Sequence, residues 1–394
     1  MRIGVNCFML QEHIGGMRQY FHRLFSELLK NDHENIYVFF YFMHNEREFV
    51  YLHNERWKDN AILLNSQDDV NLHLDKIDLY FCPFGALWPR PVKVPSVVTL
   101  PDIQEKYYPD YFSAEDLFNR KLYYDPSTHI ADRVIAISNF TKESIIKHHG
   151  ISGGKIHVAY LCSDEELNTK TPEPVPNELK LPEKFIFFPA NRWKHKNHDG
   201  LLKALAILRD HNVPGVNCVF TGHEVSGGYL LSEKVREYGL RDRIQVLSYV
   251  SSADMRMIYR KAEMLCFPSV FEGFGMPVLE AMTLGCPVIC SNTTSLPEVG
   301  GSAVLYFDPN NPEDIADKIN SLWNNKELRE QLIYKGHQQA RLFSASDMAQ
   351  KHLDTFREAF ESYNSVHYYY DKFIYDPLYR FKMRYYRKYK YNLT

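Results

Sequence analysis

Short apolar runs alternate with amphipathic stretches along most of the chain. In the first half the apolar runs lie at 3–7, 36–42, 79–81, 97–100 and 134–137, and residues 17–29 have helical periodicity. The second half repeats the pattern, with runs at 185–188, 217–221, 244–247, 264–267 and 287–290 and a predicted helix over 200–209. Such alternation is typical of βαβ units and parallel sheets. The pattern therefore predicts an α/β fold with two doubly wound domains.

The borders between these domains follow from composition. Residues 168–183 are polar and rich in proline, which the interior of a sheet does not accept, so we expect a linker there. We predict one domain over 1–168, a second over 185–348, and a helix over 349–366 that packs back toward the first. A length of 394 residues with 45% hydrophobic residues agrees with two cores.

Net charge and cysteine usage exclude several classes of protein. A formal net charge of -3 gives the molecule no overall field that would attract nucleic acid. The seven cysteines lie mostly in apolar runs with no Cys-x-x-Cys pair, which indicates reduced core residues of a cytosolic protein. We find neither a signal peptide nor a run of about 18 apolar residues, the length of a membrane span. We therefore expect a cytoplasmic protein that at most contacts the cytoplasmic face of the inner membrane.

The sharpest motif is PSVFEGFGMPVLEAM at residues 268–282, between a predicted strand and a predicted helix. Its glycines allow a close backbone approach, and the helix N-terminus near Pro277 favours an anion such as a diphosphate. Glu272 and Glu280 would repel a diphosphate, so we expect them to accept hydrogen bonds from hydroxyl groups. A sugar nucleotide meets both demands. The alternative is that Glu272 is a solvated loop residue and Glu280 an exposed helix residue.

This motif resembles the Glu-x7-Glu signature of the retaining glycosyltransferases of family 4. The resemblance extends from residue 3 to about residue 360 and includes SNTTSLPEV at 291–299. It implies the GT-B fold, in which two facing Rossmann-like domains enclose an inter-domain cleft. It also implies that a nucleoside-diphosphate sugar is the donor and that anomeric configuration is retained.

The resemblance assigns roles to particular residues of this motif. Glu280 would hold the nucleotide ribose, and Glu272 would hold the hydroxyls of the transferred sugar. Backbone amides near Phe274 and Gly275 would assist, and Glu298 would belong to the same donor site.

A second motif, PANRWKHKNH at residues 189–198, follows the first strand of the second domain. Arg192 and Lys196 are placed to present two cations, and the matching pair in the family stabilises the departing diphosphate, which gains negative charge in the transition state. The alternative is a solvated charged loop, which stays open for Lys194. We expect Glu272→Gln and Arg192→Ala each to reduce turnover severely without unfolding the protein.

Two further elements lie in the first half. Gly15 and Gly16, at a strand-to-helix turn, would let the backbone approach the donor phosphates. At residues 97–103, Pro101 stands where many family members have histidine, and proline has neither an imidazole nor a backbone N–H. Asp102 is then a candidate for positioning the sugar, although a turn-capping aspartate is an equal alternative.

The sequence predicts no metal site and no cofactor beyond the sugar nucleotide itself. It contains no Asp-x-Asp, and its 17 histidines show no zinc-type spacing. A nicotinamide-dependent oxidoreductase is disfavoured because Gly-x-Gly-x-x-Gly is missing after the first strand. A catalytically weak GT-B-like partner subunit stays an alternative because of Pro101.

The end of the chain has a different composition. From Lys372 onward, seven basic residues and many aromatic rings accompany a single acid, Asp376. Aromatic rings and basic side chains together suit the headgroup layer of an anionic membrane, so residues 372–394 are a candidate membrane contact. The alternative is a disordered basic end. Nucleic acid is not expected as a partner. We treat 367–394 as an appendage to the fold.

Together these features predict an enzyme that moves a hexose, mannose-like or other, to a glycan or lipid-linked acceptor. By analogy with similar family members, we expect it to act in the synthesis of a bacterial surface polysaccharide.

Overall fold

The chain divides into two structural units. The computed structural model describes residues 1–11, 15–52, 54–163, 179–225, 229–247 and 250–391. One unit comprises Met1–Cys162 and Ser344–Thr394, and the other comprises Ser163–Phe343. The predicted linker over 168–183 lies largely outside the described residues.

The first unit is built on a parallel sheet. Its strands are β1 (Arg2–Asn6), β2 (Ile36–Tyr41), β3 (Ala61–Leu63), β4 (Leu79–Cys82), β5 (Ser96–Leu100), β6 (Arg133–Ala136) and β7 (Ile156–Val158). The seven strands lie in the order β3-β2-β1-β4-β5-β6-β7. Its first three α-helices are α1 (Gly16–Asn31), α2 (Ala114–Ile130) and α3 (Asn139–His149). Short 3-10 turns at Met43–Leu52, Glu55–Asn60, Gln67–Leu72, Leu74–Lys76, Gln104–Lys106, Pro109–Tyr111 and Gly153–Lys155 complete the connections.

The second unit repeats this plan. Its strands are β8 (Ile186–Pro189), β9 (Cys218–Thr221), β10 (Ile244–Val246), β11 (Met264–Phe267), β12 (Val288–Ser291) and β13 (Leu305–Phe307). They form a parallel sheet in the order β10-β9-β8-β11-β12-β13. Its α-helices are α4 (His198–Asp210), α5 (Leu231–Glu237), α6 (Ser252–Lys261), α7 (Met276–Thr283), α8 (Leu296–Gly300), α9 (Pro312–Trp323) and α10 (Lys326–Ala340). Two doubly wound parallel sheets confirm the predicted fold class.

The central strands are buried on both faces, which is why they are continuous apolar runs in the sequence. Every residue of Met264–Phe267 is 0% exposed. All seven cysteines are free and buried, which confirms that they are core residues. Among the described residues, no helix combines the length and the apolar character needed to cross a membrane.

The chain returns to the first unit through helix α11 (Ala345–Glu361). The return begins at Ser344, whereas the sequence analysis placed it at residue 349. The physical reason is the helix start: the Ser344 hydroxyl accepts a hydrogen bond from the Asp347 amide. Phe356 then packs on the sheet, with its ring 5.0 Å from that of Phe81.

The segment after this helix corrects one prediction. Helices α12 (Ser365–Tyr370) and α13 (Asp376–Tyr389), joined by a π-helical turn at Asp371–Tyr375, continue as part of the first unit. Met383 is 1% exposed and Asp376 is 5% exposed. The segment is therefore a packed part of the fold, neither an appendage nor a disordered basic end.

A buried histidine on α11 makes stability depend on pH. The His352 Nδ1–H donates to the Met348 carbonyl at 2.7 Å, so Nε2 accepts from the Tyr20 hydroxyl at 2.6 Å. Burial lowers the pKa of His352 from 6.5 to about 4. Since the unfolded chain binds this proton at higher pH than the folded chain, the stabilisation is lost as the pH falls from about 6.5 toward 4.

We predict that acidification from pH 6.5 to 5.5 costs the wild type about 1 kcal/mol more free energy of unfolding than it costs His352→Gln. Urea titrations of both proteins at the two pH values measure this difference. His149 and His198 are also buried and contribute equally to both proteins, so the comparison isolates His352. An equal loss in the two proteins would contradict the assignment.

Candidate active site

The second unit places the two predicted motifs side by side. Its strand order reverses between β8 and β11, which are neighbours in the sheet although far apart in sequence. Residues 190–197 follow the carboxyl end of β8, and residues 268–275 follow that of β11. Doubly wound sheets bind ligands at such a reversal of strand order. The topology thus assigns both loops to one ligand-binding edge.

A lysine–glutamate pair lies at this edge. The Lys196 Nζ is 2.5 Å from the Glu272 Oε1. Their side chains are 17% and 11% exposed, so both remain partly accessible. The pair presents a cation for a departing phosphate and a carboxylate that can accept hydrogen bonds from hydroxyl groups. The structure therefore brings together two of the three residues predicted to be catalytic.

Asn197 connects the loop after β8 to the loop after β11 by a hydrogen bond. It has a left-handed backbone (φ 57) and its side-chain oxygen accepts from the Gly200 amide, which caps helix α4. Its side-chain amide donates to the carbonyls of Pro268 and Pro309 at 3.1 and 2.8 Å. Asn197 therefore sets the position of Lys196 relative to the Glu272 loop, a role that the sequence analysis did not assign.

The segment after β12 holds the Glu272 loop from the other side. The Glu272 amide donates to the Thr294 hydroxyl at 3.1 Å. The fully buried Ser295 hydroxyl lies 2.9 Å from each of the carbonyls of Glu272 and Phe274. Both residues lie within the stretch 291–299 that resembles family 4, but no role for them is apparent from the sequence. They are positioning residues, because their hydroxyls hydrogen-bond to the backbone of the Glu272 loop.

Gly275 begins helix α7 with a backbone that favours glycine. Its φ is +108, and a Cβ there would lie 2.6 Å from a methyl carbon of Leu296. Pro277 lies in the first turn, where its missing N–H costs no hydrogen bond. The N-terminus of α7 carries the positive end of the helix dipole, which favours an anion nearby. Phe274 is 3% exposed and packs on Phe343, so its side chain serves the core.

Glu280 lies farther along α7 and is held by a buried tyrosine. The Tyr259 hydroxyl donates to the Glu280 Oε2 at 3.1 Å. Burial, followed by the nearby Glu280 charge, raises the pKa of Tyr259 well above its ordinary value, so the hydroxyl keeps its proton. Glu298 lies half-buried in the first turn of α8. The donor-binding roles of both glutamates stay predictions.

Arg192 departs from its predicted placement. It is 2% exposed, and its Nη1 donates to the carbonyls of Ala190 and Thr221 at 2.9 and 3.1 Å. The same nitrogen lies 3.3 Å from the His198 Nε2. Burial, and then the charges of Arg192 and Lys196, lower the pKa of His198 to about 3, so this ring is neutral. The guanidinium joins the loop after β8 to strand β9, because those buried carbonyls require donors.

The remaining predicted residues lie in the first unit. Gly15 has a φ of 51 and precedes α1, and a Cβ on it or on Gly16 would meet no atom within 4 Å. Asp102 accepts from the Gln104 amide at 3.0 Å, which is the turn-capping role given as its alternative. The Pro101 carbonyl accepts from the Thr141 hydroxyl at 3.1 Å. Their contribution to donor binding stays a prediction.

Two Rossmann-like units, with a cation and a carboxylate beside a helix N-terminus at the strand reversal of the second, define the class of GT-B glycosyltransferases. Two family descriptions match the chain: Glycosyltransferase Family 4 over residues 14–167, and Glycosyl transferases group 1 over residues 170–339. Together they cover most of the sequence. The chain belongs to the glycosyltransferases of family 4, an assignment that favours an enzyme over a non-catalytic partner subunit.

Named relatives and solved structures agree with this assignment. O-antigen chain mannosyltransferase B of Escherichia coli is 29% identical over 271 residues, which cover 66% of this chain and 70% of that protein. O-antigen chain mannosyltransferase RfbU of Salmonella typhimurium is 29% identical over 227 residues, covering 57% and 60%. The crystal structure of Anabaena Alr3699/HepE in complex with UDP-glucose matches with a TM-score of 0.71 at 17% identity, covering 91% of this chain and all of that one. This last likeness shows the fold.

Proposed function

We propose that this enzyme transfers mannose, with retention of anomeric configuration, from a nucleoside-diphosphate mannose to a glycan or lipid-linked acceptor in the assembly of a bacterial surface polysaccharide. The observation that carries the proposal is the Lys196–Glu272 pair beside the N-terminus of α7. The names of the O-antigen mannosyltransferases support the choice of sugar and acceptor. We place the reaction at the cytoplasmic face of the inner membrane.

The charges of the site suit each part of such a donor. The Lys196 ammonium and the positive end of the α7 helix dipole favour the diphosphate. The carboxylates of Glu272 and Glu280 favour the hydroxyls of the sugar and of the ribose. In the retaining reaction the acceptor oxygen bonds to the anomeric carbon on the face from which the diphosphate leaves. The acceptor proton passes to a donor phosphate oxygen, so no side chain is needed as a strong base.

We also propose that the reaction needs no metal ion. Among the residues that the structure describes, no group of three or more histidines, cysteines, aspartates or glutamates is placed to hold a metal. Lys196 and the helix N-terminus supply positive charge instead. Turnover unaffected by EDTA supports this part of the proposal, and turnover restored only by a divalent ion contradicts it.

Measuring turnover of candidate donors tests both the choice of mannose as the transferred sugar and the role of the Glu272 carboxylate. We expect GDP-mannose, and not UDP-glucose, to be cleaved with release of the nucleoside diphosphate, and we expect Glu272→Gln to lower kcat by about 100-fold or more. Glutamine keeps the size of the side chain but loses the charge that aligns Lys196. Near-normal turnover by Glu272→Gln would contradict the assigned site.

A thermal-shift series completes this test. We expect GDP to raise the Tm of both the wild type and Glu272→Gln, because Glu272 is assigned to the sugar hydroxyls. A nucleotide at about 100 times its Kd adds roughly 2.7 kcal/mol of stability. Stabilisation by UDP instead of GDP would retain the enzyme class and overturn the choice of mannose.

A further inference from the structure

The C-terminal segment, residues 365–391, is a helical arm with two different faces. The inner face packs on the first unit: Tyr368, Asp376 and Met383 are 9%, 5% and 1% exposed. The Tyr379 hydroxyl donates to the Lys121 carbonyl on helix α2 at 2.5 Å. These contacts fix which side of the arm faces outward.

A buried ion pair strengthens this attachment. The Arg90 Nε donates to the Asp376 Oδ1 at 3.0 Å, and these side chains are 1% and 7% exposed. The Arg380 guanidinium binds the other oxygen of the same carboxylate. The single acid of residues 372–391 is thus neutralised on the inner face, and it does not offset the positive charge outside.

The outer face is apolar and exposed from Val366 to Tyr385. Its large side chains are between 48% and 74% exposed and, apart from one adjacent pair, they recur every three or four residues: Val366, Tyr370, Phe373, Ile374, Leu378, Phe381 and Tyr385. Basic residues accompany this stripe and are also exposed: Lys372, Lys382, Arg384, Arg387, Lys388 and Lys390. Monomeric proteins rarely leave a continuous apolar stripe of this kind without a binding partner.

We propose that the outer face of this arm lies in the headgroup layer of an anionic lipid bilayer. A helix with an apolar stripe and basic flanks binds in the plane of such a surface, with the rings and aliphatic side chains at the acyl boundary and the cations on the phosphates. The charge favours lipid over a second copy of this chain, because a symmetric contact would bring two basic faces together.

The docking itself does not depend on which sugar is transferred. Its purpose, to bring the enzyme to a lipid-linked acceptor, rests on the proposed function. Vesicle binding is measured without donor or acceptor, and turnover is measured without vesicles. Failure of one proposal is therefore distinguishable from failure of the other.

The test is co-sedimentation of the full chain with vesicles of phosphatidylglycerol and phosphatidylcholine, and with vesicles of phosphatidylcholine alone. We expect binding to the anionic vesicles that falls as NaCl is raised from 0.1 to 1 M, since the screening length shortens from about 10 to about 3 Å. The double substitution Leu378→Glu with Phe381→Glu should lower the partition coefficient by at least about tenfold.

A matched control makes the same chemical change elsewhere. Tyr334 and Leu342 are 69% and 65% exposed on the second unit, and glutamate at both should leave vesicle binding intact. Lys382→Gln with Arg384→Gln should weaken binding to anionic vesicles with little effect on Tm, because both residues are exposed.

Two outcomes would overturn the proposal. One is vesicle binding that is absent in the wild type or equal in the wild type and the Leu378/Phe381 variant. The other combines two results: the wild type does not bind vesicles, and analytical ultracentrifugation shows that it forms a concentration-dependent dimer that the Leu378/Phe381 variant does not form. Those results would assign the outer face to contact with a second copy of the chain.

Discussion

Replacing Lys196 by alanine is expected to lower kcat by about 10²–10³-fold, with a smaller change in KM. The departing nucleoside diphosphate gains negative charge in the transition state, and removal of one preorganised donor at such a position has an effect of this size. Lys196 is the cation that the structure places beside Glu272, at 2.5 Å. Steady-state kinetics with whichever nucleotide sugar the enzyme cleaves measure both constants.

Lys194 provides the matched control for this prediction. It belongs to the same short turn, Lys194–Lys196, and is exposed. Lys194→Ala removes the same charge from the same loop and should retain turnover close to the wild-type value. Equal losses in the two variants would show that overall positive charge of the loop matters, and the specific role of Lys196 would then be wrong.

Most of the sheets could be predicted from the sequence, because a strand buried on both faces is a run of apolar residues. The run at 264–267 coincides with β11, and the run at 97–100 lies within β5. Strands β3, β7 and β13 were missed. Each has only three residues and forms an edge of its sheet, but β10 has the same length and an edge position and was predicted, so length alone does not explain the difference.

That Lys196 and Glu272 lie together follows from the resemblance to family 4, which assigns both residues to the donor site, and their catalytic roles stay predictions. The residues that hold them could not be predicted from the sequence. Asn197 forms a hydrogen bond to a loop 71 residues away in sequence. Thr294 and Ser295 form hydrogen bonds to a loop 22 and 23 residues away. Such contacts depend on which strands become neighbours, and no local pattern records that.

The C-terminal arm is a second case in which contacts between residues far apart in sequence could not be predicted. Its composition indicated a separate basic end, yet Asp376 pairs with Arg90, which lies 286 residues earlier. A lone acid among seven cations looks incidental in the sequence. Once the fold is known, it is the group that orients the arm, and the exposed stripe follows from that orientation.

Replacing Arg192 by alanine is expected to lower the free energy of unfolding by about 2 kcal/mol, because it removes a buried charged donor, and a hydrogen bond to a charged group contributes roughly 1.5–3 kcal/mol. The donor serves the carbonyls of Ala190 and Thr221, of which Thr221 keeps the Ala190 amide at 3.3 Å, and its loss loosens the loop that carries Lys196. In a unit of this size the Tm should fall by roughly 4–8 °C. Thermal unfolding and urea titration measure the change.

Activity measured on the same variant separates this structural role from the catalytic role that the sequence predicted. If Arg192 supports the loop, Arg192→Ala should lose stability and turnover together, and a nucleoside diphosphate that binds the folded state should recover part of the Tm. Arg192→Met, which fills the space without hydrogen-bond donors, should be nearly as unstable. If Arg192→Ala instead keeps the wild-type Tm and loses turnover alone, the guanidinium acts on the donor. In that case Arg192 is buried only while the donor is absent, and the loop rearranges when the donor binds. The paired measurement therefore decides whether the second cation of the motif contacts the diphosphate or positions the first.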